Sequence, residues 1–143
     1  MATGDLTVFD EAKLALTDGT HDLDTHTIKC AILDNTTAPT AADTTPALGD
    51  YTEVGTGGTY VAGGTTLTIS LTEAGGTVTF DATTNPTWAQ NASNDNDAYW
   101  ALIYNDTATG DPAIAFLELG GPVDMSAGAL TVTWNASGVF TLA

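Results

Sequence analysis

Three side chains near the start of the chain, His21, His26 and Cys30, are the first candidates for chemistry, because imidazole and thiolate are the usual zinc ligands. On an extended strand, His26 and Cys30 would share a face. Four residues of strand rise still hold them about 13 Å apart, too far for one ion. The plainer reading is a buried thiol beside two surface or turn histidines. A nucleophile needs a base and an orienting acid. Ser70, Ser93, Ser126 and Ser137 have no flanking signature, and the nucleophile elbow G-x-S-x-G does not occur. Paired carboxylates support glycoside hydrolysis. Of Glu53, Glu73 and Glu118, only Glu118 stands out, because it interrupts the apolar run AIAFLEL. It reads more simply as a polar tooth on an outward face or at a subunit contact. The Gly-rich stretch GTGGTYVAGG has no lysine and no strand–helix context, so it is not a phosphate cradle.

Oxygen-rich loops are the remaining chemical signal. NDND at 94–97 and NDTATGD at 105–111 place Asp95, Asp97, Asp106 and Asp111 where a hard cation such as calcium would find ligands. Neither fits the twelve-residue calcium loop, and Asx turns explain both runs equally well. The expectation is no cofactor, with calcium as the one candidate. An alternative function is a carbohydrate-binding β-sandwich module, with Trp88 of the polar loop 85–97, Trp100 or Tyr60 as a stacking platform for sugar.

Composition says which elements must carry these residues. The 143 residues suffice for one domain with a core. The chain holds 28 threonines, frequent glycine, and 18 acidic against 2 basic residues, a formal charge of −16. Threonine with Val, Ile and aromatics favours pleated, half-buried surfaces, and Gly, Asn and Asp favour turns. Two lysines cannot build a basic groove, which argues against direct nucleic-acid binding and against attraction to anionic membranes. One cysteine makes no internal disulfide. The chain has no apolar run of 18 residues and no secretory signal pattern at its start. Synthesis and folding in a cytoplasm are therefore expected.

The order of elements follows from periodicity. LTVFDEAKLAL fits an amphipathic helix, expected at about 5–18, capped by Asp5 or Thr7 and ended by Asp18-Gly19. A strand is expected over 25–33, then a long stretch over 34–50 without apolar period, read as an exposed arm or loop that orders on contact. Residues 51–54 form a possible short strand. Residues 65–72 and 77–81 form a hairpin through Gly75-Gly76, with Leu67, Ile69, Leu71, Val78 and Phe80 inward. Strands follow at 98–105 and 113–119, and a last hairpin joins 130–134 to 139–142. Together these give a mainly β, single-domain antiparallel β-sandwich or jelly-roll-like fold with one short N-terminal helix.

The strands at 98–105 and 113–119 have two apolar faces rather than one. Antiparallel strands with one wet face should alternate. Tyr99, Ala101 and Ile103 face one side, and Trp100, Leu102 and Tyr104 the other; Ile114 and Phe116 oppose Ala113, Ala115, Leu117 and Leu119. One face covers the core. The other, with Trp100, Leu102, Tyr104, Ile114, Phe116 and Glu118 as candidate subunit or capsid contacts, must be covered by the helix, a second sheet or a neighbouring subunit.

Several segments carry a resemblance. MATGDLTVFDEAKLALTDGTHDLDTHTIKCAIL resembles the opening of small structural proteins of tailed bacteriophage virions, in which a short helix leads into H-D-L-D-T-D-T-I-K and a first strand. TYVAGGTTL resembles their G-Y-x-A-G-G-x-x-L element, with Thr59 in place of Gly. GGTVTFDATTNPTW, AYWALIYNDTATGDPAIAFLELGG and LTVTWNASGVFTLA resemble later elements, so the likeness spans nearly the whole chain. The acidic loops at 34–50 and 89–97 are longer here, and basic residues are fewer. The resemblance implies a capsid decoration (cement) protein on the shell exterior. Its partners would be the major capsid protein and further copies of itself, with a trimer favoured. A tail or neck component is the alternative. No catalytic residues come with the family.

Overall fold

In a computed structural model the described residues are 4–143. They form a mainly β chain of three antiparallel sheets, consistent with a β-sandwich, and one α-helix. Three strands make the centre of the main sheet: β2 (Ile28–Leu33), β7 (Ala98–Asn105) and β8 (Ala113–Val123). β1 (Leu6–Val8) adds to the outside of β8 and β3 (Thr65–Thr66) to the outside of β2, giving the order β1-β8-β7-β2-β3. A second sheet has the order β10-β5-β4, from Phe140–Leu142, Thr77–Ala82 and Ile69–Ala74. β6 (Thr87–Trp88) and β9 (Leu130–Thr131) form a two-stranded ribbon.

The register sorts side chains onto the two faces of the main sheet. Cys30, Ile103 and Ala115 lie opposite one another, as do Ile32, Ala101 and Leu117. These face the second sheet and ribbon, where Phe80, Ala82, Trp88, Met125, Leu130, Val132 and Val139 complete the larger core. Ala31, Leu102 and Phe116 form the alternate row. Leu102 and Phe116 pack with Phe9, Ala12, Leu33, Tyr51 and Ala113 into a second core on the other face. Both faces of a central strand are therefore dry, and β2 and β7 read as nearly continuous apolar runs.

A β-bulge modifies this pattern. Between the pairs Ile103–Ala115 and Tyr104–Ala113, β7 advances one residue and β8 two. Ile114 is the extra residue. It turns to the larger core, away from Phe116, correcting the expectation that these two share a face.

Helix α1 spans Asp10–Asp18, shorter than the expected 5–18. Leu6, Thr7 and Val8 pair instead with Leu117, Phe116 and Ala115. The N-cap is Phe9, with no side-chain cap bond, so neither Asp5 nor Thr7 caps the helix. Asp10 and Glu11 suit the positive N-terminal end of the helix, and Gly19 ends it at φ 86°, a left-handed conformation that glycine adopts without Cβ strain. Phe9 and Ala12 point into the second core, and Leu14 points to solvent.

The segment 34–50 is no free arm. It crosses the second face of the main sheet and is bonded at both ends. The Asp10 amide donates to the Ala41 carbonyl, the Leu48 amide to Asp111, and the Ala113 amide to Pro46. Glu11 Oε2 accepts from the Thr45 amide at 2.7 Å. A 3-10 turn at Leu48–Asp50 delivers Tyr51 onto Phe9. The segment lacks apolar periodicity because it contributes single anchors instead of a repeating face.

The remaining strand expectations change in three places. Residues 51–54 make only one bridge, Leu33 to Glu53. The strand expected over 65–72 is two strands in different sheets, and the chain crosses between them at Leu67 and Thr68. The last hairpin does not form: β9 pairs with β6, and β10 pairs with β5. Trp134 holds the crossing between them, donating Nε1 to the Thr84 carbonyl at 3.1 Å and its amide to Asn85 Oδ1 at 3.0 Å.

Candidate functional site

The residues expected to form a subunit or capsid contact are mostly interior. Leu102, Ile114 and Phe116 are at most 2 % exposed, and Tyr104 is 1 % exposed. Phe116 packs against Phe9 with tilted rings at a centroid distance of 4.9 Å and meets Trp100 edge-on at 6.0 Å. The cover over this face is α1 and the segment reaching Tyr51, both from the same chain, so Leu102 and Phe116 are not free to meet a partner. Trp100 and Glu118 are cross-strand neighbours at its margin and stay partly exposed. Trp100 Nε1 donates to Asn35 Oδ1 at 3.1 Å, and the Glu118 carbonyl accepts from Gly4.

Trp88 is 6 % exposed and packs on Tyr60 at 6.0 Å. It belongs to the larger core and offers no face to a sugar. A tryptophan in a polar loop misled because the loop folds back over it through the β6–β9 pairing.

The oxygen-rich loops serve as staples. Asn94, within NDND, is buried; its Oδ1 accepts from the Thr59 amide at 2.7 Å, and its Nδ2 donates to Ala89 and Met125 carbonyls at 3.0 and 3.1 Å. Asp95 accepts from the Gly55 amide. These bonds tie the Gly-rich segment to the 85–97 loop and to Met125. Burial, with Asp95 and Asp34 nearby, holds the Asp97 carboxyl above the ordinary range. Asp106 pairs with Lys29 Nζ at 2.9 Å, and Asp111 sits at φ 52° in the turn before Pro112. Among the described residues, no three His, Cys, Asp or Glu side chains converge as a metal set would.

Tyr60 is the hub of the Gly-rich segment. Its hydroxyl donates to Glu53 Oε2 and accepts from the Ile32 amide at 3.2 Å. The same Glu53 oxygen accepts from Gly63 N at 2.7 Å, and the Gly63 carbonyl accepts from Tyr104 OH at 2.7 Å. Burial first, then the Glu53 carboxylate, pushes the Tyr60 phenol well above its ordinary range. Cys30, wholly buried, has its thiol pushed up to about 12 by burial alone, the profile of an inert core thiol.

A third hub is Asn105, wholly buried at the end of β7. Its Oδ1 accepts from the Thr107 and Ala108 amides, and its Nδ2 faces Thr20 O and the Nδ1 atoms of His21 and His26. His21 is 4 % exposed, correcting its reading as a surface residue. Nothing in the local pattern TDGTHDLD marks it as buried; only the return of Asn105, 84 residues later, encloses it.

Two surface features were not foreseen. A cleft of about 390 Å3 lies between α1 and residues 45–47 and 109–113. On the second sheet, Leu71, Val78 and Leu142 share a face with Phe80 and Phe140 but are 36–42 % exposed. The sheet overhangs the sandwich there, so two residues expected inward, Leu71 and Val78, continue the core face out into solvent.

No helix of the described residues is long and apolar enough to cross a membrane. Comparison with protein-family models, with curated proteins and with solved structures finds no match to this chain.

Proposed function

We propose that this chain is a non-enzymatic structural protein of a tailed-phage virion, of the capsid decoration type, which binds the exterior of the shell and stabilises it. The observation that carries the reading is where the family-like segments fall. YVAGG supplies Tyr60 and Gly63; YNDTATGDP supplies Tyr104 and Asn105; the opening supplies His21 and His26. These are the hubs that lock the loops to the main sheet. The resemblance thus coincides with the fold's joints, which suits a protein whose product is a surface. The overhanging apolar strip of Leu71, Val78 and Leu142, with Glu73 opposite Val78 at its edge, gives such a surface an area for a partner to cover. The major capsid protein and further copies of this chain would be its partners, with a trimer favoured.

The test is immunogold electron microscopy of source virions with antibody against the purified protein. Gold spread over the shell supports decoration. Gold confined to the neck or tail supports the alternative placement. Virions without label overturn both.

A further inference from the structure

The two histidines of the chain converge on one amide. Asn105 Nδ2 lies 3.2 Å from His21 Nδ1 and 2.9 Å from His26 Nδ1. The amide cannot turn over freely, because its Oδ1 already accepts from the amides of Thr107 at 3.0 Å and Ala108 at 3.1 Å. An NH2 group only donates, and its two hydrogens face three neighbours, the two Nδ1 atoms and the Thr20 carbonyl at 3.3 Å; given to the two nearest, they meet a lone pair on each Nδ1 and leave each ring's proton on Nε2. The Asp22 amide also points at His26 Nδ1, at 3.4 Å. The junction is built for two neutral imidazoles.

We propose that this junction is an acid-sensitive latch, in which protonation of Nδ1 on the buried His21 opposes the Asn105 NH2 and releases residues 19–27 from the β7–β8 turn. The released segment is the one that follows α1. Its departure loosens the helix over the second core and uncovers the apolar face of Leu102 and Phe116. The inference stands apart from the proposed virion role and holds for any function of the chain.

The surrounding charges do not cancel the effect. Asp18 of α1 favours a proton on His21, as does the Ala113 carbonyl of β8, but burial opposes it more strongly and His26 adds to the opposition. The Asp22 carboxylate is engaged by Thr25 and the Asp24 amide, the Asp106 carboxylate by Lys29 of β2, and Glu11 by Thr45. His21 Nε2 has the Ala113 carbonyl nearby but no hydrogen bond of normal geometry to hold an added charge. The sign follows: the unfolded chain takes up a proton near pH 6.5 that the folded junction refuses, so stability is full above that pH and falls as pH drops below it. A histidine that stayed neutral throughout would weaken the folding equilibrium by at most about thirtyfold at pH 5.

The experiment is urea unfolding and apolar-dye binding at fixed ionic strength from pH 8 to 5, above the range where exposed carboxylates titrate. It compares the natural chain with H21N, H26N and the double variant. Asparagine keeps an acceptor near the Nδ1 position and does not titrate. The natural chain should lose at least tenfold in its folding equilibrium and gain dye fluorescence by pH 5, and the double variant should be flat. A flat natural chain, or an unchanged response in the double variant, overturns the latch. Should the variants not fold, nitrogen NMR of the natural chain at pH 7 decides. Both rings must show unprotonated Nδ1; a proton on either Nδ1 overturns the proposal.

Discussion

Removing one oxygen, by Tyr60→Phe, tests whether the Gly-rich segment is held to the main sheet as described. The ring stays, and with it the packing on Trp88. What goes is a hydroxyl that bonds both the Ile32 amide and Glu53. Ile32 is fully buried in the middle of the main sheet, so its N–H would lose this partner with no water to replace it, at about 1–3 kcal/mol. The lost bond to an ionised carboxylate adds about 1.5–3 kcal/mol, softened because Glu53 keeps Gly63 N. The expected total is about 3 kcal/mol, or a melting point lower by roughly 6–12 °C for a chain of this size. Urea unfolding at pH 7 measures it directly. The phenol also gives the variant a second signature. Its pKa is raised on folding, so its contribution is present below about pH 10 and is lost as pH rises above that value. Tyr60→Phe should therefore lose less stability than the natural chain between pH 9 and 11. A cost under 1 kcal/mol at pH 7 would refute the hub, since neither orphaned group could then be buried as described.

Two further substitutions probe the same architecture. Gly64→Ala places a Cβ onto the Cys30 carbonyl oxygen at a backbone φ of +69°, so it should cost more than 3 kcal/mol or prevent folding; soluble protein with an unchanged melting point would show that the segment does not approach β2. Phe116→Ala should cost about 3–5 kcal/mol in urea unfolding, as a core cavity does; a loss below 1 kcal/mol would mean that α1 does not pack over this face.

What was readable in the sequence depended on how local the cause was. β7 begins and ends where its apolar run does, Ala98 to Asn105, because both faces are buried and the turn residues Asn105 and Asp106 stop it. The hairpin through Gly75-Gly76 follows from two glycines at φ +61° and +86°. The two apolar faces of β7 and β8 were legible too, but not their covering. Helix and subunit leave the same trace in a strand, and only the hydrogen bonds of segment 34–50 to α1 and β8 decide between them. Leu6–Val8 looked helical because its residues extend the helix's spacing; its pairing partner lies over a hundred residues on. The buried polar hubs were the least visible. Asn94 and Asn105 sit in runs of Asn and Asp that read as surface turns, and only their long-range partners distinguish them from their exposed neighbours.

The groove of about 430 Å3 between the two sheets has walls from both ends of the described chain, Gly4 to Leu6 on one side and Gly138 to Thr141 on the other. The first and last strands thus lie beside each other at the rims of opposing sheets. A chain rearranged to run from Thr141 through a short linker into Gly4, with new ends opened at the exposed Gly75-Gly76 turn, would therefore retain every sheet pairing.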